Sequence, residues 1–359
     1  MMPKKIYISL LLFFTSIQFL QAQNTTSIKA NYDTAFMMIK MLVYSDIPKA
    51  FKKAVFITEY TYQGNQLDYQ EFDNYIEHLT FLCQKWVLAN PIQGYHYSDS
   101  INLQSNYAIY NVMKDTVRMI VSGSTDIANL PYTYNFEDFF GHRDWSNMFV
   151  SKLLITHKGN CHSLPYLYKI LADELNSSCW LTLAPNHIYI KNRCKKSGWY
   201  NTELTSGNFP IDAWITASGY ISLEAIRSGI YMDTLSNKQA IAMCLLDLAK
   251  GYERQVNNYE DGYILRCCDF VLQQHSQNVQ ALLLKAEVLK RIYAKQSKDT
   301  IKQIQTTETY AKMTSIYGKL IDLGYREMPE QMYINWLQSV IRESEKFSNK
   351  KIWEGLSTN

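Results

Sequence analysis

The residue with the most chemical promise is Cys161, in the stretch Gly159-Asn160-Cys161-His162-Ser163-Leu164-Pro165. From Leu164 through Tyr168, Ile170 and Leu171 to Leu175 the apolar spacing is helical. Asn160 is a good N-cap, and Pro165 falls in or near the first turn, where a missing amide donor is tolerated. Cys161 therefore stands at the positive end of a helix, a position that favours the thiolate, which is the nucleophilic form. A lone cysteine is usually buried filler, so its company matters. Downstream, 179–184 and 187–191 alternate as strands around Pro185-Asn186, and 198–207 gives a third short strand closed by a loop. His187 lies on one strand and Glu203 on the next. In that layout an imidazole can take the thiol proton while a carboxylate orients the imidazole.

Other residues compete for these roles. His157 precedes Cys161 in a loop and is an alternative base, whereas His162 points about 100° away from its neighbour on a helix and reads as a bystander or cleft wall. Asn201 and Glu203 alternate with Thr202 and face the same side, so either could orient His187, and Asp212 is a more distant alternative. The carboxylate of Glu203 is the better partner for an imidazolium. Asn160, Asn186, Asn201 and Trp199 flank the three and are the candidate substrate contacts, although Trp199 and Trp214 also fit a packing role. The Cys161 backbone amide is the expected oxyanion donor, without an identifiable side-chain partner.

Gly-Asn-Cys before an apolar helix, then Pro-Asn-His-Ile-Tyr-Ile, then Trp-Tyr-Asn-Thr-Glu-Leu-Thr-Ser-Gly, resembles the transglutaminase-like core. The nearest branch is the SirB type, in which that core precedes tetratricopeptide repeats. The resemblance spans residues 45–290 and is sharpest over 159–207; Asn147 to Leu154 resembles the family's approach helix. It implies a papain-like thiol site in which Cys161 matches the nucleophile, His187 the base and Glu203 the orienting acid. The acid is Glu here where classical transglutaminases carry Asp. The resemblance also implies a non-catalytic alternative, since many SirB-type members lack the cysteine.

The chain has 359 residues, 47% hydrophobic content and a net charge of +3, with no basic cluster interleaved with aromatics, so nucleic-acid binding is not indicated. Lys4-Lys5, the apolar run Ile6–Leu20 and Gln21-Ala22-Gln23 read as a cleaved signal peptide over 1–23; the run is shorter than the ~20 residues of a membrane span. The first cysteine, Cys83, is too far from the cleavage zone for a lipid anchor. The expectation is an exported bacterial protein, periplasmic or secreted, with no membrane association after cleavage. Seven cysteines leave at least one unpaired, and Cys161 is the candidate; Cys179 and Cys194, near the open ends of the hairpin, could form a cross-strand bridge. No zinc-site spacing, phosphate loop or dinucleotide fingerprint occurs, so no metal and no cofactor is expected.

The expected class is α+β: a mostly helical chain around a small core of one helix on a short antiparallel sheet, then an α-helical array. Residues 24–141 form an N-terminal helical region, with helices over Tyr32–Val43, Ile47–Tyr60, Tyr69–Val87 and Asn106–Val121, broken at Ser122-Gly123-Ser124. The aromatic connector 132–141 leads into the core, 142–235; its rings read as packing beneath the core, with the alternative that one or two line the substrate cleft. From 236 to 359 the helices Lys238–Tyr252, Tyr259–His275, Val279–Tyr293, Thr309–Leu323 and Gln331–Phe347 read as a tetratricopeptide-like array or a plain helical bundle. Residues 295–307 read as a loop and the last dozen as frayed.

Two functions follow from this reading. The first is an exported thiol hydrolase or acyltransferase that opens peptide or carboxamide bonds through a thioester. The second is an inactive scaffold that holds protein partners on the concave face of its repeats. Contact between Cys161 and His187, with Glu203 behind, favours the first; a cleft filled by an aromatic side chain favours the second.

Overall fold

Burial decides the centre of the molecule. Every residue from Ser163 to Ala172 is buried, so helix α6 (Ser163–Glu174) is covered on all sides. A helix so enclosed needs neighbours all round, and the sequence supplies them from both directions. The computed structural model describes residues 27–45, 47–121, 125–299, 303–343, 346–350 and 352. The stretch 1–23, expected to be a signal peptide, lies outside them.

On the N-terminal side stand α1 (27–44), α2 (Ala50–Tyr62), α3 (Tyr69–Ala89) and α4 (Ser100–Lys114); α3 and α4 pack on α6. Asp68 caps α3 by accepting from the amides of Gln70 and Glu71. One expectation fails here. The stretch read as a single helix from Asn106 to Val121 ends at Lys114, and Val117–Val121 (β1) pairs antiparallel with Thr125–Asn129 (β2). Val117, Ile120 and Val121 are β-branched, which favours the pleated conformation over a further helical turn.

Two short elements then set up the start of α6. Thr133–Tyr134 (β3) pairs parallel with Lys158–Gly159 (β4), and α5 (Val150–Thr156) lies between them in sequence. On the other face, α6 packs against β5 (Trp180–Ala184) and β6 (His187–Cys194), which with β7 (Gly198–Thr202) form an antiparallel sheet in the order β5-β6-β7. Ala184 pairs with His187 across the Pro185-Asn186 turn, where Asn186 takes a left-handed conformation at φ 55°.

After α7 (Asp212–Ser218) and α8 (Leu223–Arg227) come α9 (Asn237–Val256), α10 (Tyr263–Gln274), α11 (Val279–Gln296) and α12 (Gln303–Asp322), each packed on the next. Helix α9 begins with a capping box between Ser236 and Gln239. It also packs along α2, and Tyr32 of α1 meets Tyr252 and Tyr263 edge-on, so the N-terminal helices and the array share one core. The loop expected over 295–307 is shorter, because α11 continues to Gln296 and α12 begins at Gln303.

The last helix, α13 (Glu330–Arg342), does not extend the stack. Its side chains Tyr333 and Trp336 meet Phe139, Phe140, His187 and Trp214 of the core. The segment beyond it is docked rather than frayed as far as it is described: Asn349 donates its amide to the Phe209 carbonyl at 2.7 Å, and Ile352 is buried. No described helix is long and apolar enough to cross a membrane.

All seven cysteines are free and buried. A Cys179–Cys194 bridge is ruled out by register: Trp180 faces Lys191, which sets Cys179 opposite Asn192 and two residues short of Cys194.

Gly159 is the tightest point of this construction. A Cβ there would lie 2.6 Å from Ser163 Oγ and 2.7 Å from Leu153 Cδ1. The Gly159→Ala variant is expected to lose about 1–3 kcal/mol of stability through overpacking, read as a lower midpoint in urea unfolding. An unchanged midpoint would mean that the turn before α6 adapts freely.

Candidate active site

The turn before α6 is built by Asn160. Its side-chain oxygen accepts from the amides of His162 (2.9 Å) and Ser163 (3.1 Å), and its Nδ2 donates to the Phe139 carbonyl at 2.9 Å. Asn160 is fully buried by these bonds. It shapes the turn, as an N-cap would, and has no face left for a substrate, which corrects its candidacy as a substrate contact. Cys161 is thereby held just ahead of the twelve-residue α6, where the helix dipole favours negative charge.

The sulfur of Cys161 lies on the Nδ1 side of His187, the first residue of β6, since one hydroxyl reaches both atoms. The other edge of the imidazole, Nε2, lies 2.7 Å from Glu203 Oε2. Glu203 follows β7, where it pairs with Asn208 across a tight turn, and its second oxygen accepts the Thr205 amide at 2.8 Å. All three side chains are buried: Cys161 keeps 8% of its surface, His187 2% and Glu203 4%.

The charges follow from these contacts. Burial pulls the His187 imidazole down, but the Glu203 charge and hydrogen bonds to Cys161 and Glu203 outweigh it and raise the group to about 10. Burial pushes the Cys161 thiol up, yet the hydrogen bond and charge of His187, then Tyr333 and His162, hold it below its ordinary value. Glu203 is also held below its usual range, by His187 and Thr205 against burial. The site thus favours thiolate, imidazolium and carboxylate together.

Tyr333 of α13 closes this site. Its hydroxyl is 3.3 Å from the Cys161 sulfur and 3.1 Å from His187 Nδ1. The ring packs on Phe139 and Phe140, and the Trp336 indole meets the His187 ring edge-on at 4.7 Å. The connector aromatics Phe139 and Phe140 therefore do reach the cleft. Tyr134, brought alongside Gly159 by the β3–β4 pair, adds a second buried phenol beside Cys161 and Tyr333. Sequence reasoning missed Tyr333 because α13 read as the end of an array far from the core. The Tyr-x-x-Trp-Leu-x-x-Val spacing of 333–340 does mark a strongly amphipathic helix that must cover something.

The remaining candidates fall outside the cluster or serve it indirectly. Asn186 sits at its edge: its carbonyl oxygen is 3.6 Å from the Cys161 sulfur and its Nδ2 donates to the Met328 carbonyl at 2.9 Å. Asn201 does not orient His187, because its Nδ2 donates to the Pro210 carbonyl and to Asp212 Oδ1 at 2.9 and 2.7 Å. Asp212 is taken up by Asn201 and by Lys191 at 3.6 Å. Trp199 pairs with Arg193, six residues along β6 from His187 and so about 20 Å away at the usual strand rise. It packs on Trp180, which removes it from the substrate contacts. His157 stacks on Tyr132 and contacts the Leu130 carbonyl, so it is not the base.

His162 has a different task from the bystander role expected of it. Its Nδ1 lies 2.9 Å from the Met148 carbonyl and its Nε2 lies 2.9 Å from Asp247 Oδ1 of α9, while Tyr166 donates to Oδ2 at 3.0 Å. Both ring nitrogens face acceptors, so both must carry protons, and the ring is an imidazolium. Burial pulls this group down, but Asp247 raises it overall. The pair fastens the cysteine turn to the helical array.

Among the described residues no group of three or more His, Cys, Asp or Glu side chains is arranged to hold a metal ion. In comparisons with protein families, curated proteins and solved structures, the chain matches none.

Breaking the His162–Asp247 pair tests its weight. The side chains keep 16% and 14% exposure, so Asp247→Asn is expected to cost toward the lower end of the ~3–5 kcal/mol seen for a fully buried pair. Because the folded His162 is raised above its unfolded ~6.5, its contribution is fully present below that value and is lost as pH rises through the folded one. The difference in unfolding free energy between wild type and Asp247→Asn should therefore shrink on the alkaline side. A constant difference would mean that the pair acts through shape alone.

Proposed function

We propose that the protein is a thiol hydrolase or acyltransferase of the transglutaminase-like type, acting on peptide or carboxamide bonds. One observation carries the reading: a thiol at the start of a helix and one edge of an imidazole meet at a single hydroxyl, that of Tyr333, at 3.3 and 3.1 Å, and the other edge of the imidazole is held at 2.7 Å by a buried carboxylate. In this mechanism the Cys161 thiolate attacks the carbonyl carbon and the backbone amide of Cys161 helps to hold the oxyanion. The protonated His187 then gives its proton to the leaving amine, the C–N bond breaks and a thioester forms on Cys161. Glu203 keeps the imidazolium oriented throughout. Water releases the acyl group as a carboxylic acid; an amine in place of water releases it as a new amide. No step requires a cofactor. The substrate is a peptide or protein, and the helical stack from α9 to α12 reads as a tetratricopeptide-like surface for a protein partner. The export reading of 1–23 places this chemistry in a periplasm or outside the cell.

A second reading has its own observation. Tyr333 and Trp336 fill the cleft over Cys161 and His187. On that reading the core is a retired enzyme fold, and the helical stack carries the function by binding protein partners.

A titration decides between them without needing access to the site. Thiolate absorbance in the ultraviolet is followed against pH in wild type, with Cys161→Ser subtracted. The expected result is a Cys161 thiolate already present at neutral pH, below the ~8.5 of a free thiol. His187→Gln keeps a donor toward Glu203 but removes the charge, and should raise the transition by about 1–3 units. The charged pair should persist upward until His187 gives up its proton near 10. A thiol that titrates as a free one and ignores His187→Gln would sink the enzyme reading and leave the scaffold.

A further inference from the structure

Two facts about α13 need one explanation: it ends on the reactive atoms, and little holds it there except one apolar stripe. The Tyr333 hydroxyl stands between Cys161 Sγ and His187 Nδ1, at 3.3 and 3.1 Å. A carbonyl about to be attacked must itself come within about 3–3.5 Å of the sulfur. Tyr333 and a substrate therefore cannot be present together.

The helix meets the core through Tyr333, Trp336, Leu337 and Val340, while Gln331, Asn335, Gln338 and Arg342 on its other side face solvent. Its side-chain hydrogen bonds to the core among the described residues are those of Tyr333 and that of the Trp336 indole to Ser218 Oγ at 3.1 Å. Among the described residues no ion pair joins α13 to the core, and Arg342 pairs with the adjacent Glu343.

Its two flanks are fastened separately. Before it, Asn186 bonds the Met328 carbonyl and Ser222 bonds the Gly324 carbonyl, both at 2.9 Å. After it, Ile211 bonds the Phe347 carbonyl at 3.2 Å and the amide of Asn349 bonds Phe209. The helix can thus lift while both ends stay attached.

We propose that α13 is an intramolecular strap over the active site, with Tyr333 as its plug, and that Cys161 reacts only when α13 lifts. This rests on the thiol-enzyme reading, and it accounts for the filled cleft without retiring the enzyme. The hydroxyl fits the role of a placeholder. Burial and the neighbouring Cys161 raise the Tyr333 phenol well above its ordinary value, so it stays neutral and donates to the thiolate. A substrate offers that position a carbonyl group instead.

The test is alkylation of the full chain with iodoacetamide, quantified at Cys161 by peptide mass spectrometry, with far-ultraviolet circular dichroism to confirm folding. Wild type should label slowly. Tyr333→Ala and Trp336→Ala should each label about tenfold faster or more, because the rate follows the population with α13 lifted. Tyr333→Phe keeps the ring and should stay slow. Rapid labelling of wild type, or folded alanine variants that label no faster, would overturn the strap.

Adding His187→Gln to Tyr333→Ala separates the two ideas. If the opened thiol labels at the same rate with or without His187, the strap stands and the activated thiol falls. If wild type labels fast and His187→Gln slows it, the reverse holds. Should the alanine variants unfold, exposing the other six buried cysteines to label, hydrogen exchange on wild type decides alone. Amides of α13 exchanging far faster than those of α6 support the strap; equal protection overturns it.

Discussion

Three ionisable groups share the centre of this molecule with almost no access to water, and charges so placed persist only as partners of one another. The 2.7 Å contact between His187 and Glu203 is the fixed point. It requires the first residue of β6 to stand beside the residue that follows β7, which the β6–β7 register provides. It requires a turn that starts β6 abruptly, which Asn186 provides by taking a left-handed conformation. It also requires Glu203 to be spent fully as an acceptor, which the Thr205 amide completes. With the imidazole so held, its remaining edge can face only the start of α6. Gly159, too crowded for any side chain, lets that start come close.

Part of this was legible in the sequence because it is local. A helix start, a two-residue turn and a strand followed by a loop each leave a signature within a few residues, and Cys161, His187 and Glu203 sit on those signatures. The coarse class, mostly helical with small sheets, was legible for the same reason. What failed was distance. Alternation shows that Asn201 and Glu203 share a face, but not that only Glu203 lies far enough along the strand to meet His187. Trp199 shares the hairpin with the cluster yet belongs to its opposite end. The helix expected through Val121 failed through competition: Val117 to Val121 carry an apolar pattern that suits either a helical face or a strand, and pairing with Thr125–Asn129 decides it.

The placement of α13 was illegible for a deeper reason. Its amphipathic stripe announces that it must cover an apolar surface, but the sequence cannot say which. Stacking on α12 and folding back on the sheet would both bury Tyr333, Trp336, Leu337 and Val340. The core offers something more specific: an indole partner on Ser218 of α7, aromatic faces on Phe139 and Phe140 of the connector, and, at the thiolate–imidazolium pair, an acceptor and a donor for a phenol hydroxyl. Pairing polar atoms buried in an apolar surface is the larger gain, because each would otherwise remain unsatisfied.

That preference ties the array to the site from two sides. From α9, Asp247 holds His162, the residue next to Cys161. After α12, the chain returns to lay α13 over Cys161 itself. A force or partner acting on the helical stack therefore has two routes to Cys161, one through the turn that positions it and one through the helix that covers it. They differ in kind. The His162–Asp247 pair is an ionic bond, sensitive to pH and costly to break with either partner left behind. The α13 contact is mainly apolar area on a short helix with both flanks fixed, so it can open without unfolding its neighbours. Of the two routes the second is the one that can be exercised repeatedly, since those contacts alone can be exchanged while the cysteine turn stays in place.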